Sequence, residues 1–207
     1  MTAPDLRAWF GDTDIYVVDQ LMKGRVAPGM RVLDAGCGGG RNLHFLLRAG
    51  MDARAVDADP AAVAEARARA MEIAPETDPA RFSVARVEAL PFADASFDVV
   101  LSFAVLHQAG SDARFEAMLD EMWRVLAPGG MLLARLSTAI ARPGLAPLGG
   151  RRWRTAEGDE RYLVDEAFLR AHAERLGAEE LEPLKTTIVH GSHSMTTWVL
   201  RKPPRRD

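Results

Sequence analysis

The sequence predicts an α/β fold, a largely parallel sheet with helices on both faces. Three observations carry that expectation. Short apolar runs with strand character alternate with helix-favouring segments through most of the chain. The sharpest run, Met30-Arg31-Val32-Leu33, passes into a glycine cluster and then a helical pattern. The last two strand-like runs are joined by about five residues, His190 to Ser194. That link is too short for a parallel crossover, so the closing pair must be antiparallel.

Each element has a local reason. Ile15, Val17, Val18, Leu21 and Met22 recur at helical spacing behind Asp12-Thr13-Asp14, a capping region, until Pro28-Gly29 breaks the pattern. A first strand runs through Met30 to Leu33, and a helix follows from Gly40 to Ala49, stopped by Gly50. Ala53 to Asp57 is a second strand, and Pro60 opens an Ala/Arg/Glu-rich helix to Ile73. Phe82 to Val87 and Phe97 to Phe103 read as the third and fourth strands. Asp112 opens a helix with Phe115, Met118, Leu119, Met122 and Leu126 on one face; Pro128-Gly129-Gly130 then turns the chain into a fifth strand, Met131 to Leu136. Residues 142–159, rich in Gly, Pro and Arg, are expected as a long loop. A helix from Asp165 to Leu176 precedes the two closing strands, roughly Glu180 to Val189 and Met195 to Arg201. One domain spans 1–207: a helical lid (1–29), a ligand-binding core (30–137), a loop on the far side of the site (138–164), and a closing helix and strand pair (165–202).

Composition narrows the function. Apolar residues make up 48% and charged residues 27% of the 207, enough for a core and a solvated surface. A net charge of −3 argues against a nucleic-acid partner held through phosphates. The single cysteine, Cys37, fits a reducing compartment, and no run approaches the ~20 apolar residues of a spanning helix. With Asp5, Asp12, Asp14 and Asp19 in the first stretch and no long apolar core there, a secretory signal is not expected. The expectation is a cytoplasmic protein without a membrane partner; composition leaves the oligomeric state open.

The chemistry concentrates at Asp34-Ala35-Gly36-Cys37-Gly38-Gly39-Gly40, between strand and helix, with Asp57 21 residues after Gly36 at the end of the next strand. A side-chain-free turn lets a ligand lie against backbone, and a strand-end carboxylate can accept from both ribose hydroxyls. Charge chooses the nucleotide: Asp34, read as standing at the mouth of the loop, repels a pyrophosphate and favours a cofactor carrying a sulfonium and an ammonium.

Four segments together resemble the class I S-adenosylmethionine-dependent methyltransferases: Leu33-Asp34-Ala35-Gly36-Cys37-Gly38, Val56-Asp57-Ala58-Asp59-Pro60, Leu90 to Val100 and Leu126-Ala127-Pro128-Gly129-Gly130. The resemblance covers residues 30–137. It implies a Rossmann-like doubly wound sheet of seven strands, order 3-2-1-4-5-7-6, with strand seven antiparallel. It assigns Asp34, Gly36, Cys37 and Gly38 to S-adenosylmethionine, Asp57 to its ribose, Ala58, Val87 and Glu88 to the adenine, and Phe103 to the same pocket. Where many members carry an acid at the end of strand three, this chain has Arg86, which cannot accept from an adenine amine. A backbone carbonyl is the preferred acceptor, with Glu88 the alternative. Trp9 to Asp19 with Met195 to Trp198 is similar to a tellurite- or thiopurine-resistance-like branch acting on small molecules.

On the acceptor side, His107 in Leu106-His107-Gln108 is the candidate for orienting an acceptor or taking its proton. Arg135 and Arg152, among the arginines after strand five, are candidates for clamping an anionic acceptor. Trp9, Phe10 and Tyr16 are candidates for lining the lid. His190 and His193 have no evident third ligand, so no metal is expected. Two rival readings remain. An NAD(P)-dependent oxidoreductase would need the glycine loop to hold a pyrophosphate beside Asp34 without a Tyr-x-x-x-Lys pair. A non-catalytic S-adenosylmethionine-binding module would lack an acceptor pocket.

Overall fold

A computed structural model describes residues 5–142, 144–189 and 193–205. The parallel strands are β1 (Arg31–Ala35), β2 (Asp52–Asp57), β3 (Phe82–Val84), β4 (Phe97–Phe103) and β5 (Leu126–Ser137). Three short strands follow, β6 (Ala146–Gly149), β7 (Arg152–Arg154) and β8 (Glu160–Tyr162); then come β9 (Glu179–Glu180), β10 (Lys185–Val189) and β11 (His193–Arg201). The helices are α1 (Leu6–Phe10), α2 (Ile15–Met22), α3 (Leu43–Arg48), α4 (Pro60–Ile73), α5 (Asp112–Val125) and α6 (Glu166–Arg175).

The main sheet runs β3-β2-β1-β4-β5-β11-β10, with β9 appended to β11. β11 is antiparallel to both β5 and β10. With β10 and β11 as strands six and seven, this is the expected doubly wound order. The turn expected at 190–194 lies mostly outside the described residues, which omit 190–192.

Local chemistry sets the helix starts. Asp5, Asp14, Asp59, Ser111 and Asp165 each accept a backbone N–H from the first turn of the helix they precede. Two apolar layers hold the sheet. Phe115, Met118, Leu119 and Met122 of α5 and Phe168 and Leu169 of α6 pack on one face; Val17 of α2, Leu43 and Leu46 of α3 and Val63 of α4 pack on the other. Among the described residues no helix is long and apolar enough to cross a membrane.

Four expectations change. β5 begins at Leu126 rather than Met131, so Leu126 and Pro128-Gly129-Gly130 belong to the strand and not to the helix face and a separate turn. Residues 142–159 are not a plain loop, because β6, β7 and β8 form an antiparallel meander. In Arg152-Trp153-Arg154 the indole N–H donates to the Leu163 carbonyl at 3.0 Å. The flanking arginines pair with Glu160 across the strands, so a charged stretch still satisfies a ladder. The strand expected over 180–189 is broken between β9 and β10. The third strand ends at Val84 rather than Val87, leaving Arg86 to Glu88 as irregular backbone at the sheet's carboxyl edge.

Candidate cofactor site

In open α/β sheets the ligand crevice lies beyond the carboxyl ends of the strands. A cavity of about 650 Å³ occupies that position. Its wall includes Gly36, Cys37, Gly38, Asp57, Ala58, Val87, Glu88 and Phe103, all but one of the residues expected to hold the cofactor. The exception is Asp34.

The loop must be glycine where the expectation put it. Gly36 has φ +84°, and a Cβ there would lie 2.3 Å from a methyl carbon of Val105. Val105 follows Ala104, a non-glycine residue held at φ +62° directly after β4. Both features press the turn after β4 against the loop after β1. Asp57 then braces the loop: Oδ2 accepts the Gly38 N–H at 2.9 Å and Oδ1 accepts the Asp59 N–H at 3.0 Å. A carboxylate has about four acceptor positions, so both oxygens can still receive a ribose hydroxyl.

Asp34 is not at the mouth of the loop. It is the penultimate residue of β1, 1% exposed, and neither carboxylate oxygen has a hydrogen-bond partner among the described residues. Burial, only partly offset by the Arg41 guanidinium, pushes its pKa up to about 7. The carboxylate expected at the loop's lip therefore lies buried in β1, before the loop begins.

Charge on the wall is largely spent. Arg41 donates to Asp14 and Arg69 to Asp12, each at 2.7 Å. Arg86 and Arg114 converge on Glu88 Oε1 at 2.8 and 3.0 Å. The carboxylates around the glycine loop without an arginine partner, among the described residues, are Asp34 and Asp57. The cations on the wall are thus paired with acids, and among the described lining residues Asp57 is the carboxylate without an arginine partner. Glu88 is thus committed to two arginines, while Val87 beside it is buried against the wall.

Several expected acceptor-side residues sit elsewhere. His107 is in the short 3₁₀ turn Leu106–Gln108, and its Nδ1 accepts the Ser137 N–H at 3.0 Å. Burial, and then the Arg161 charge, lower its pKa, so the neutral ring carries its proton on Nε2. No ring lone pair is left to take a proton, and His107 anchors the end of β5 instead of acting as a base. Trp9 lies under the Arg48 guanidinium and Phe10 stacks on Phe45 at 5.0 Å, so neither lines the cavity. Tyr16 covers Arg135, its ring centroid 4.8 Å from the guanidinium carbon. Arg152 is tied to Glu160 in the meander and does not clamp a ligand. Cys37 is largely buried, which raises its thiol pKa and keeps it unreactive. Sequence reasoning missed Arg41, Arg69, Gln108, Arg114 and Met118 on the wall. Arg41 sat in plain view one residue past the glycines.

A strand-end acid bracing a glycine turn, with a buried, unpartnered carboxylate in the strand before it, is the distinguishing geometry of this cavity. Comparison with known proteins gives the class. A methyltransferase domain model matches residues 33–134. The chain is 30% identical to an uncharacterized methyltransferase of Synechocystis over 69% of its own length and 68% of that relative. It is 36% identical to a probable S-adenosylmethionine-dependent methyltransferase of Mycolicibacterium smegmatis over 68% of its own length, but spans only 52% of that protein. In fold it matches the 1,6-didemethyltoxoflavin-N1-methyltransferase of Burkholderia thailandensis, solved with 1,6-didemethyltoxoflavin and S-adenosylhomocysteine. The TM-score is 0.67 at 19% identity, covering 96% of this chain and 81% of that one. The chain belongs to the methyltransferase family.

Proposed function

We propose that this S-adenosylmethionine-dependent methyltransferase acts in the cytoplasm on a small-molecule acceptor. Its cofactor is S-adenosylmethionine, which supplies an electrophilic methyl group on a sulfonium. The observation that carries the reading is Asp34: two buried carboxylate oxygens without a partner, directly beneath the glycine loop. A diphosphate placed there is repelled; a sulfonium and an ammonium are attracted.

The chain's own residues do the rest. Asp57 fixes the ribose and holds Gly38 in place. Gly36 lets the ligand approach to backbone distance. Phe103 and Val105 form the apolar side of the cavity. The Asp12–Arg69 and Asp14–Arg41 pairs tie the N-terminal segment over the opening and limit water. Holding acceptor and methyl in line can supply on the order of 7–11 kcal/mol of the acceleration. With the His107 lone pair engaged, the reading favours an acceptor atom already nucleophilic, such as a thiolate, an amine or an oxyanion. The aromatic, acidic segment 9–19 and Met195 to Trp198 support placing the chain in the tellurite- or thiopurine-resistance-like branch.

Calorimetry tests this directly. S-adenosylmethionine and S-adenosylhomocysteine should bind and NADH should not. Asp57→Ala should weaken S-adenosylhomocysteine roughly 10- to 100-fold, the worth of hydrogen bonds to a charged group. Tight NADH binding with no affinity for either sulfur compound would overturn the assignment.

A further inference from the structure

The register of the main sheet places one row of residues along its carboxyl edge, all on the same face. Asp34 pairs with Ala55 and with Leu101, and β1 ends one residue later, so Gly36 opens its loop beside the ends of β2 at Asp57 and β4 at Phe103. Phe103 pairs with Arg135 and Arg135 with Thr197. Read across the sheet, the row is Asp57, Gly36, Phe103, Arg135, Thr197. Strands are about 4.8 Å apart, so Arg135 stands roughly 10 Å from the glycine loop, on the side away from Asp57. If the ribose is at Asp57 and the sulfonium at Gly36, the acceptor approaches over Phe103 and Arg135.

The far end of that row is under-satisfied. The Arg135 guanidinium makes no hydrogen bond among the described residues. Its Nε is buried without a partner, and its ion contact, to Asp14 Oδ2, is a loose 3.8 Å. That oxygen already accepts from Arg41 at 2.7 Å. Thr197, 3% exposed, also has a buried hydroxyl without a partner. Tyr16 lies against the guanidinium, yet 19% of the Arg135 side chain remains accessible. A guanidinium with a buried, unpartnered Nε and an accessible edge is well completed by an anion, and its planar fork suits a carboxylate.

We propose that Arg135 and Thr197 seat a carboxylate on the acceptor, so that the substrate is a small organic acid methylated at an atom over Phe103. This rests on the methyltransferase reading above. Arg135 then determines specificity, holding the acceptor by a group remote from the methyl carbon. Thr197 adds a hydroxyl donor beside it.

The test uses the full chain saturated with S-adenosylhomocysteine. Benzoate, salicylate and 2-mercaptobenzoate are titrated, each against its carboxamide. At least one acid should bind about tenfold or more tightly than its amide. Arg135→Gln should abolish that preference, Arg135→Lys should restore part of it, and S-adenosylhomocysteine affinity should stay within about twofold throughout. Acids and amides that bind alike, or do not bind at all, overturn the carboxylate seat; this comparison needs no variant, so it stands even if R135Q fails to fold. A loss of S-adenosylhomocysteine affinity in R135Q and R135K, with the acids unaffected, overturns it too by giving Arg135 to the cofactor's own carboxylate. Failure of wild-type protein to bind S-adenosylhomocysteine would instead refute the methyltransferase reading itself.

Discussion

Asp34 shows how one residue can oppose stability and serve binding. Its folded pKa, about 7, lies above the 3.8 of an unperturbed aspartate because the buried charge has no partner. Between those values the folded state holds a proton that the unfolded state has lost, so stability falls as pH rises. The favourable share is complete below about pH 4 and gone above about pH 7. Asp34→Asn should therefore raise the thermal midpoint of the ligand-free protein at pH 8 several-fold more than at pH 4.5, when thermal melts of both proteins are compared. The same substitution should weaken S-adenosylmethionine, whose positive charges are what the ionised form attracts. A melting point that moves equally at both pH values would mean Asp34 is charged throughout.

At the scale of elements, the N-terminal segment is held over the site by polar ties more than by its aromatics. Asp14 caps α2 by accepting the Tyr16 N–H, receives Arg41, and has its own N–H bound by Asn42 Oδ1 at 3.1 Å. Asp14→Ala removes a cap worth about 1 kcal/mol and frees Arg41 into the cavity. Hydrogen exchange should speed up across α1, α2 and residues 40–44 while β1 and β4 remain protected. Uniform exchange across the sheet would show that the segment is part of the global core. This element also marks where sequence reading reached its limit. Asp14 was legible as a cap and Asp57 as a strand-end acid, because each owes its role to local backbone geometry. β4 was legible because Val99, Val100 and Leu101, buried in a row between Phe97 and Phe103, read as a strand covered on both faces. The meander was not, since Arg152 and Arg154 look solvated until Glu160 is seen opposite them. Trp9 and Phe10 read as cavity-lining aromatics because only tertiary packing turns them toward Arg48 and Phe45. Asp34 was assigned its chemistry but not its depth: one position along a strand separates a loop's lip from its floor.

For the whole molecule, the cavity joins parts of the fold that the sheet alone holds loosely. The loops after β1, β2 and β4, the start of α5 and the N-terminal segment all meet at its wall. A ligand spanning them is bound only by the assembled state, so it stabilises that state by mass action. S-adenosylhomocysteine at 100 times its Kd should contribute about 2.7 kcal/mol. For a chain of this size each kcal/mol moves the midpoint by about 2–4 °C, so the predicted rise is about 5–11 °C in a thermal melt. NADH at the same concentration should produce none. In Asp57→Ala the rise should shrink at fixed ligand concentration and return when the ligand is raised in proportion to the lost affinity. That recovery separates a weakened site from a damaged fold, because a damaged fold would begin from a lower midpoint without ligand and stay below wild type at equal occupancy.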